Sequence, residues 1–221
     1  MREGTMLFEN RLHAARFLAR ELAQYRGRHP LLLGVPRGGV PIARNLAEAL
    51  GGDLDVVLVR KLGAPGQPEL AIGAVDETGQ IYVHSYARAL GVSSLYLENE
   101  ARKELEVLGR RRSMYTPYRT AIDPSGRTVI VVDDGCATGA SLTAALRSVR
   151  ARNPAELIAA VPVASPSALR LISQHADRVI CLEAPESFAA VGEFYRDFSS
   201  VSDQEVAETL HRSSNTAARL R

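Results

Sequence analysis

Cysteine is scarce in this chain, with two in 221 residues, Cys136 and Cys181. Their spacing suits neither a metal cluster nor a disulfide framework. The five histidines, His13, His29, His84, His175 and His211, are scattered with no ligand spacing either. Net charge is nearly absent: 27 basic against 25 acidic side chains leave +2. That balance gives no reason to expect a nucleic acid or a membrane surface as partner, so any anion site has to be local. No apolar run approaches the roughly 20 residues of a membrane span. Residues 1–23 also lack the uninterrupted apolar core of a signal peptide, and a cytoplasmic protein is expected. Aromatic residues make up only 5 %. What remains is an ordinary globular balance, 46 % hydrophobic and 24 % charged, in a length that suits one α/β domain with additions.

Periodicity then orders the chain. Residues 11–22 carry apolar side chains at helical spacing. Residues 31–35 form a short apolar run ending in Pro36-Arg37-Gly38-Gly39. An Ala/Leu-rich helix over 40–50 follows and is closed by Gly51-Gly52. Residues 55–60 are a second, valine-rich strand. Residues 61–71, with two glycines and two prolines, read as a loop. Residues 72–75 and 80–83 suggest a hairpin around Glu77-Thr78-Gly79. A long charged helix spans 94–115, with Leu97, Ala101, Leu105 and Leu108 as its apolar stripe. The run Arg110-Arg111-Arg112 near its end reads as a solvated helix terminus. Residues 128–132 are the strongest strand, followed by a helix over 140–151, a strand over 157–161, a helix over 167–174 and a strand over 178–182. The alternation predicts an α/β fold with a doubly wound, mostly parallel sheet. One domain over 1–212 is expected, with its core at about 31–185, a small hood from the N-terminal and C-terminal segments, and a polar, frayed tail over 213–221.

One segment concentrates the chemistry: TVIVVDDGCATGAS, residues 128–141. A buried strand ends in two adjacent carboxylates, Asp133 and Asp134, and a turn of small residues leads into a helix. Ligands in such sheets bind beyond the carboxyl ends of the strands. Free N–H groups and the dipole at a helix start favour an anion. Gly135 and Gly139 let the backbone curl into a nest, and Thr138 and Ser141 add hydroxyl donors. The two acids would repel a phosphate, but they can accept hydrogen bonds from a vicinal diol or hold a divalent metal, directly or through water. Phosphate and diol side by side describe a ribose 5-phosphate.

The whole string resembles the PRPP (5-phosphoribosyl-1-pyrophosphate) signature of the type I phosphoribosyltransferases. The resemblance implies that Asp133 and Asp134 bind the ribose hydroxyls. It further implies that the segment from Gly135 and Cys136 through Ala137, Thr138, Gly139, Ala140 and Ser141 cradles the 5-phosphate. The loop Pro36-Arg37-Gly38-Gly39 looks like the family's pyrophosphate loop, with a cis bond expected at Pro36–Arg37 and Arg37 as a charge-assisted donor. Arg60-Lys61, read as the end of the second strand, with Gly63 beyond, is similar to the Arg-Lys-x-Gly segment of adenine phosphoribosyltransferases. Residues 61–71 then fit the family's mobile catalytic loop. The pieces VPRGGVPIA, VLVRKLGAPGQPELAIGAV, PVASP and FAAVGEFYRDF resemble bacterial phosphoribosyltransferases of undefined substrate.

The implied reaction displaces pyrophosphate from C1 by a nitrogen nucleophile, with magnesium as cofactor. Arg37, Lys61, Asp133 and Asp134 are the expected catalytic residues, with the two acids as metal ligands, directly or through water. The acceptor is a nitrogenous base, with a purine as the first candidate. Hypoxanthine-guanine enzymes carry an acid where this chain has Ala137, so their proton acceptor is missing, and Glu69 or Glu77 is the alternative. Residues 188–198 pack aromatics that can form a hood over a flat ring, with Phe188 and Tyr195 as base contacts. A hydrophobic cluster that holds the C-terminus down is the plainer reading. Cys136 reads as packing. A homodimer fits the family's habit. A module that senses PRPP without turnover is the competing function, and a subunit like those of PRPP synthase is a third.

Overall fold

The computed structural model describes residues 7–83, 85–117 and 121–219, and of residues 69, 85, 88 and 214–219 the backbone alone. Five parallel strands form the main sheet: β1 (Leu31–Gly34), β2 (Asp53–Val56), β6 (Thr128–Val132), β7 (Glu156–Val163) and β8 (Arg178–Glu183), in the order β2-β1-β6-β7-β8. A second, antiparallel sheet holds β3 (Val59–Ala64), β4 (Gln67–Asp76) and β5 (Ile81–Val83). The helices are α1 (Arg11–Glu21), α2 (Gly39–Leu50), α3 (Ser85–Ala89), α4 (Ser94–Tyr115), α5 (Ala140–Arg150), α6 (Pro166–Ile172) and α7 (Asp203–Arg219). The expected doubly wound α/β fold is therefore present.

The central strands β1, β6 and β7 bury both faces, which is why they read as continuous apolar runs rather than alternating ones. Leu32, Ile130 and Ile158 pack towards α1, α2 and α7, with Leu46 and Leu18 among their neighbours. Leu31, Leu33, Val129, Val131 and Leu157 pack towards α5 and α6, with Leu146 and Ile172. α2 stops where a left-handed residue is needed, at Gly51 with φ of 69°. A third cluster joins the two ends of the chain. Phe8 pairs with Tyr195, and the amides of Phe8 and Arg196 donate to the carbonyls of Phe194 and Phe8, each at 2.8 Å.

Two expectations are corrected. Residues 55–60 are not one strand: β2 ends at Val56, and the chain crosses through Val57 and Leu58 into β3 in the other sheet. The valine run stays apolar because all of the crossing is buried. Residues 61–71 are not a loop but most of a hairpin. Lys61 pairs with Ala74 and Leu62 with Gly73, the register shifts at Gly63, and the turn places Gly66 at φ of 72°. Glycine and proline hid the strands, since Gly63 sits where a Cβ would meet the carbonyl oxygen of Pro68 at 2.7 Å. The expected hairpin over 72–83 does form, as β4–β5. The backbone from 213 to 219 belongs to α7. The Ala-Ala-Arg stretch there favours a helix.

Candidate functional site

The strand order reverses between β1 and β6. From β1 the chain moves outward through α2 to β2, and from β6 it moves the other way to β7 and β8. Loops leaving neighbouring strands at such a point diverge and open a crevice. Register brings the two loops level: Gly34 at the end of β1 faces Val132 at the end of β6 and Val56 at the end of β2. Contact between them continues past the strands, with the Val35 amide donating to the Val132 carbonyl at 2.8 Å. The peptide Pro36–Arg37 is cis, as expected. Gly38 and Gly39 are required by proximity. A Cβ on Gly38 would lie 1.8 Å from Oδ2 of Asp134, and one on Gly39 would lie 2.3 Å from the Val132 carbonyl oxygen. The side chain of Arg37 is exposed at the rim.

The loop after β6 is fixed from the β7 side. The amide of Asp133 donates to Ala160 O at 3.3 Å and that of Cys136 to Val163 O at 2.9 Å. Ser165 Oγ donates to the Ala137 carbonyl at 2.7 Å. Gly139, at φ of 82°, caps α5 in the left-handed region, and a Cβ there would press on Leu171 at 3.1 Å. Ala137, Thr138 and Ser141 stay exposed around the helix start, where N–H groups are free of helical partners. Residues 135–141 thus carry the chain from the end of β6 into the open end of α5.

Asp133 and Asp134 stand together at the floor of the crevice. Burial, and then the neighbouring Asp134 charge, hold the Asp133 carboxyl well above the usual carboxylate range. Burial also raises Asp134, against the pull of Arg11. Arg11, on the first turn of α1, reaches Oδ2 of Asp134 with two nitrogens, at 2.9 and 2.8 Å. A third donates to the Ser199 carbonyl at 2.7 Å, and the guanidinium lies 4.1 Å from the Phe198 ring centroid. Sequence reasoning missed Arg11, because only the pairing of the chain's two ends brings it to the acids.

The cationic side differs from expectation. Arg60 and Lys61 lie on β3, inside the hairpin, not at the end of β2. Arg60 pairs with Glu104 of α4 at 2.5 Å. Beside them is a cavity of about 230 Å³ between Pro36, the hairpin, α4 and α5. Arg111 and Arg147 line it too, and neither was singled out for a site. The arginine run is a solvated terminus only in part, with Arg110 exposed. Arg112 turns inward and binds Asp55 at 2.9 Å, Glu77 through two nitrogens at 2.5 and 2.6 Å, and the Val56 carbonyl at 3.2 Å. Glu77 is therefore held as a structural carboxylate, which removes it as a free proton acceptor. The side chain of Glu69, the other candidate, lies outside the described residues.

A match to the phosphoribosyl transferase domain family spans residues 4–199. The chain belongs to that family. It is 41 % identical over 207 residues to a Mycobacterium tuberculosis protein, from the strains CDC 1551 / Oshkosh and H37Rv, whose name assigns it provisionally to the phosphoribosyl transferases. The match covers 93 % of this chain and 47 % of that protein, so the chain spans about half the length of the curated relatives it matches. It is also similar to the crystal structure of TT1426 from Thermus thermophilus. The TM-score is 0.86 and the identity 46 %, over 94 % of this chain and 99 % of that one.

Two residues of this phosphoribosyl transferase domain, placed over the ligand by the sequence, sit in packing roles. Tyr195 is buried, with its ring stacked on Phe198 and its hydroxyl donating to the Asp134 carbonyl at 2.6 Å. Phe188 stacks on Phe194 at 5.3 Å. Both belong to the cluster that ties the chain's ends together, which favours the plainer reading of residues 188–198. Cys136 is buried as expected, and burial pushes its thiol up to about 12, which rules out a ready thiolate. Among the described residues no group of three or more His, Cys, Asp or Glu could hold a metal. No described helix is long and apolar enough to cross a membrane.

Proposed function

We propose that the chain binds PRPP at the crevice between β1 and β6 and transfers its phosphoribosyl group to a nitrogenous base. One observation carries the reading: the backbone of Gly38 stands directly against the Asp134 carboxylate. An anion held by the loop at 36–39 would thus lie beside hydroxyls held by the acids, while the start of α5 holds a phosphate at the other end. PRPP has this order of groups: diphosphate on C1, hydroxyls on C2 and C3, phosphate on C5.

In the reaction, a ring nitrogen of the base attacks C1 and forms the new C–N bond. The C1–O bond breaks, and its electron pair leaves with the diphosphate. Charge grows on that leaving group, where Arg37, Lys61 and the N–H groups of Gly38 and Gly39 would stabilise it, a preorganised electrostatic contribution. Asp133 and Asp134 would hold the ribose hydroxyls and fix the angle of attack. The start of α5, from Ala137 to Ser141, would anchor the 5-phosphate.

The acid pair also suits magnesium. The ion is usually held by one or two carboxylates together with substrate phosphates, and two adjacent carboxylates short of compensating charge fit that pattern. It would be held through water and would neutralise part of the diphosphate charge. Arg11 is the structure's addition, a cation that competes for Oδ2 of Asp134 until hydroxyls or a metal arrive.

Calorimetric titration of PRPP with magnesium tests this. Wild type should bind, and Asp133→Asn/Asp134→Asn should lose at least tenfold, about 1.4 kcal/mol or more. Absence of binding to wild type sinks the proposal. Release of pyrophosphate with a panel of bases then separates an enzyme from a sensor.

A further inference from the structure

Asp134 and the residue after it are gripped by the unit that joins the chain's two ends. Oδ2 of Asp134 accepts from Nε and Nη2 of Arg11 at 2.9 and 2.8 Å. The Tyr195 hydroxyl donates to the Asp134 carbonyl at 2.6 Å. Val191 packs on the next residue, where a Cβ on Gly135 would lie 2.2 Å from Val191 Cγ1. The gripping residues are themselves paired. The amides of Phe8, Arg196 and Asp197 donate to the carbonyls of Phe194, Phe8 and Glu9 at 2.8, 2.8 and 2.9 Å. Arg11 is tied in through the Ser199 carbonyl and the Phe198 ring. Residues 8–11 and 191–199 therefore form one hood seated on the loop at 134–135.

The seat includes an atom that the proposed function needs free. A carboxylate oxygen offers about two lone-pair positions, and Arg11 fills both on Oδ2. The backbone of Gly38 stands against the same oxygen. Ribose hydroxyls or a metal can take Oδ2 only by displacing the guanidinium. The two side chains are 13 % and 15 % exposed, so their attraction is screened less than that of a surface pair. Displacing Arg11 also removes the side-chain bond between Asp134 and the hood.

We infer that Arg11 is a latch, which holds the hood down on Asp134 in the empty site and lets it go when a ligand takes that carboxylate. The inference rests on the function proposed above. Linkage makes the effect reciprocal: a ligand that loosens the hood binds more tightly when the hood is already loose. Weakening the latch should therefore strengthen donor binding. A cation that merely attracted the donor's phosphates would have the opposite effect on removal.

The test pairs calorimetric titration of PRPP with magnesium and hydrogen exchange, both on the full chain. Arg11→Met should bind PRPP several-fold more tightly than wild type, and about tenfold if the latch is closed about nine-tenths of the time. Tyr195→Phe removes the second tether without changing a charge and should tighten binding by a smaller factor. In wild type, saturating PRPP should quicken exchange at the amides of Phe8, Arg196 and Asp197, where a ligand that only rigidified the chain would slow it. Asp134→Asn should quicken the same amides with no ligand present. Wild type that binds PRPP as tightly as Arg11→Met, or more tightly, overturns the latch and leaves the PRPP site standing. Exchange that is unchanged or slower, with PRPP or in Asp134→Asn, does the same. If neither wild type nor Arg11→Met binds PRPP, the proposed function fails and the latch fails with it. If Arg11→Met does not fold, Tyr195→Phe decides: an affinity equal to wild type or below it overturns the latch.

Discussion

Two clusters of charge lie at the carboxyl ends of β2 and β6, the strands on either side of β1, and they are built in opposite ways. Beyond β2, Arg112 answers two carboxylates at once. Asp55, at 1 % exposure, also accepts the amides of Val56 and Ile122. Every charge there has a partner of opposite sign. Beyond β6, two carboxylates share one cation, Arg11, which reaches only Asp134. The first arrangement fixes the crossing into the hairpin and the start of the turn at Glu77. The second holds charge that its surroundings disfavour, the mark of a group kept for a ligand. Equal residue types, aspartate and arginine, thus serve structure in one place and, on the function proposed, a binding site in the other. What differs is whether the partners are complete.

Breaking the satisfied cluster should have the largest effect. Arg112→Met takes the Arg112 cation away from buried Asp55 and half-buried Glu77 and should cost about 3–5 kcal/mol. Thermal unfolding should show it as a fall of roughly 2–4 °C per kcal/mol. A triple variant that also neutralises Asp55 and Glu77 should recover part of the loss. If Arg112→Met alone unfolds like wild type, the contrast between the clusters is void.

The open cluster should respond in function before stability. Gly38→Ala pushes a methyl into Oδ2 of Asp134 and should weaken PRPP binding by more than tenfold, with secondary structure retained by circular dichroism. Asp133→Asn should do the reverse of Arg112→Met and stabilise the fold. Its native carboxyl is raised above the ordinary range, so the native state favours the protonated form. Its contribution is then fully present below the ordinary carboxylate pKa and lost as pH rises through the raised one. Melting curves in metal-free buffer should coincide in acid and separate towards neutral pH. There the variant should gain on the order of 1 kcal/mol, the usual size for relieving a strained functional position. A variant less stable than wild type at neutral pH would contradict this.

The smallest expected effect is at Arg11. Arg11→Lys keeps the charge but loses the fork that reaches both Asp134 and Ser199. Hydrogen exchange should quicken at the amides of Phe8 and Arg196, which join the chain's ends, with little change in global melting. Unchanged exchange would mean that the terminal pairing holds without Arg11.

The segment at 128–141 was legible because its pieces are adjacent in the chain. Strand, acids, small residues and helix start follow one another, and each has a local physical signature. The β3–β4 hairpin was not, since Pro65, Gly66 and Pro68 look like a loop until Lys61 and Leu62 find Ala74 and Gly73. Arg112 looked solvated because its carboxylates are 57 and 35 residues away.

The sequence by itself therefore determined the parallel sheet, the boundaries of α4 and β6, and the loop able to hold a phosphate, all through periodicity and turn chemistry within a dozen or so residues. Only the tertiary structure decided which charges are neutralised. It brought Arg11 across 123 residues to Asp134, gave Arg112 to Asp55, and left Arg111 and Arg147 facing a cavity that no acid among the described residues lines. Charge pairing depends on distance in space, and the chain order of two residues says little about that until the sheet has set their strands side by side.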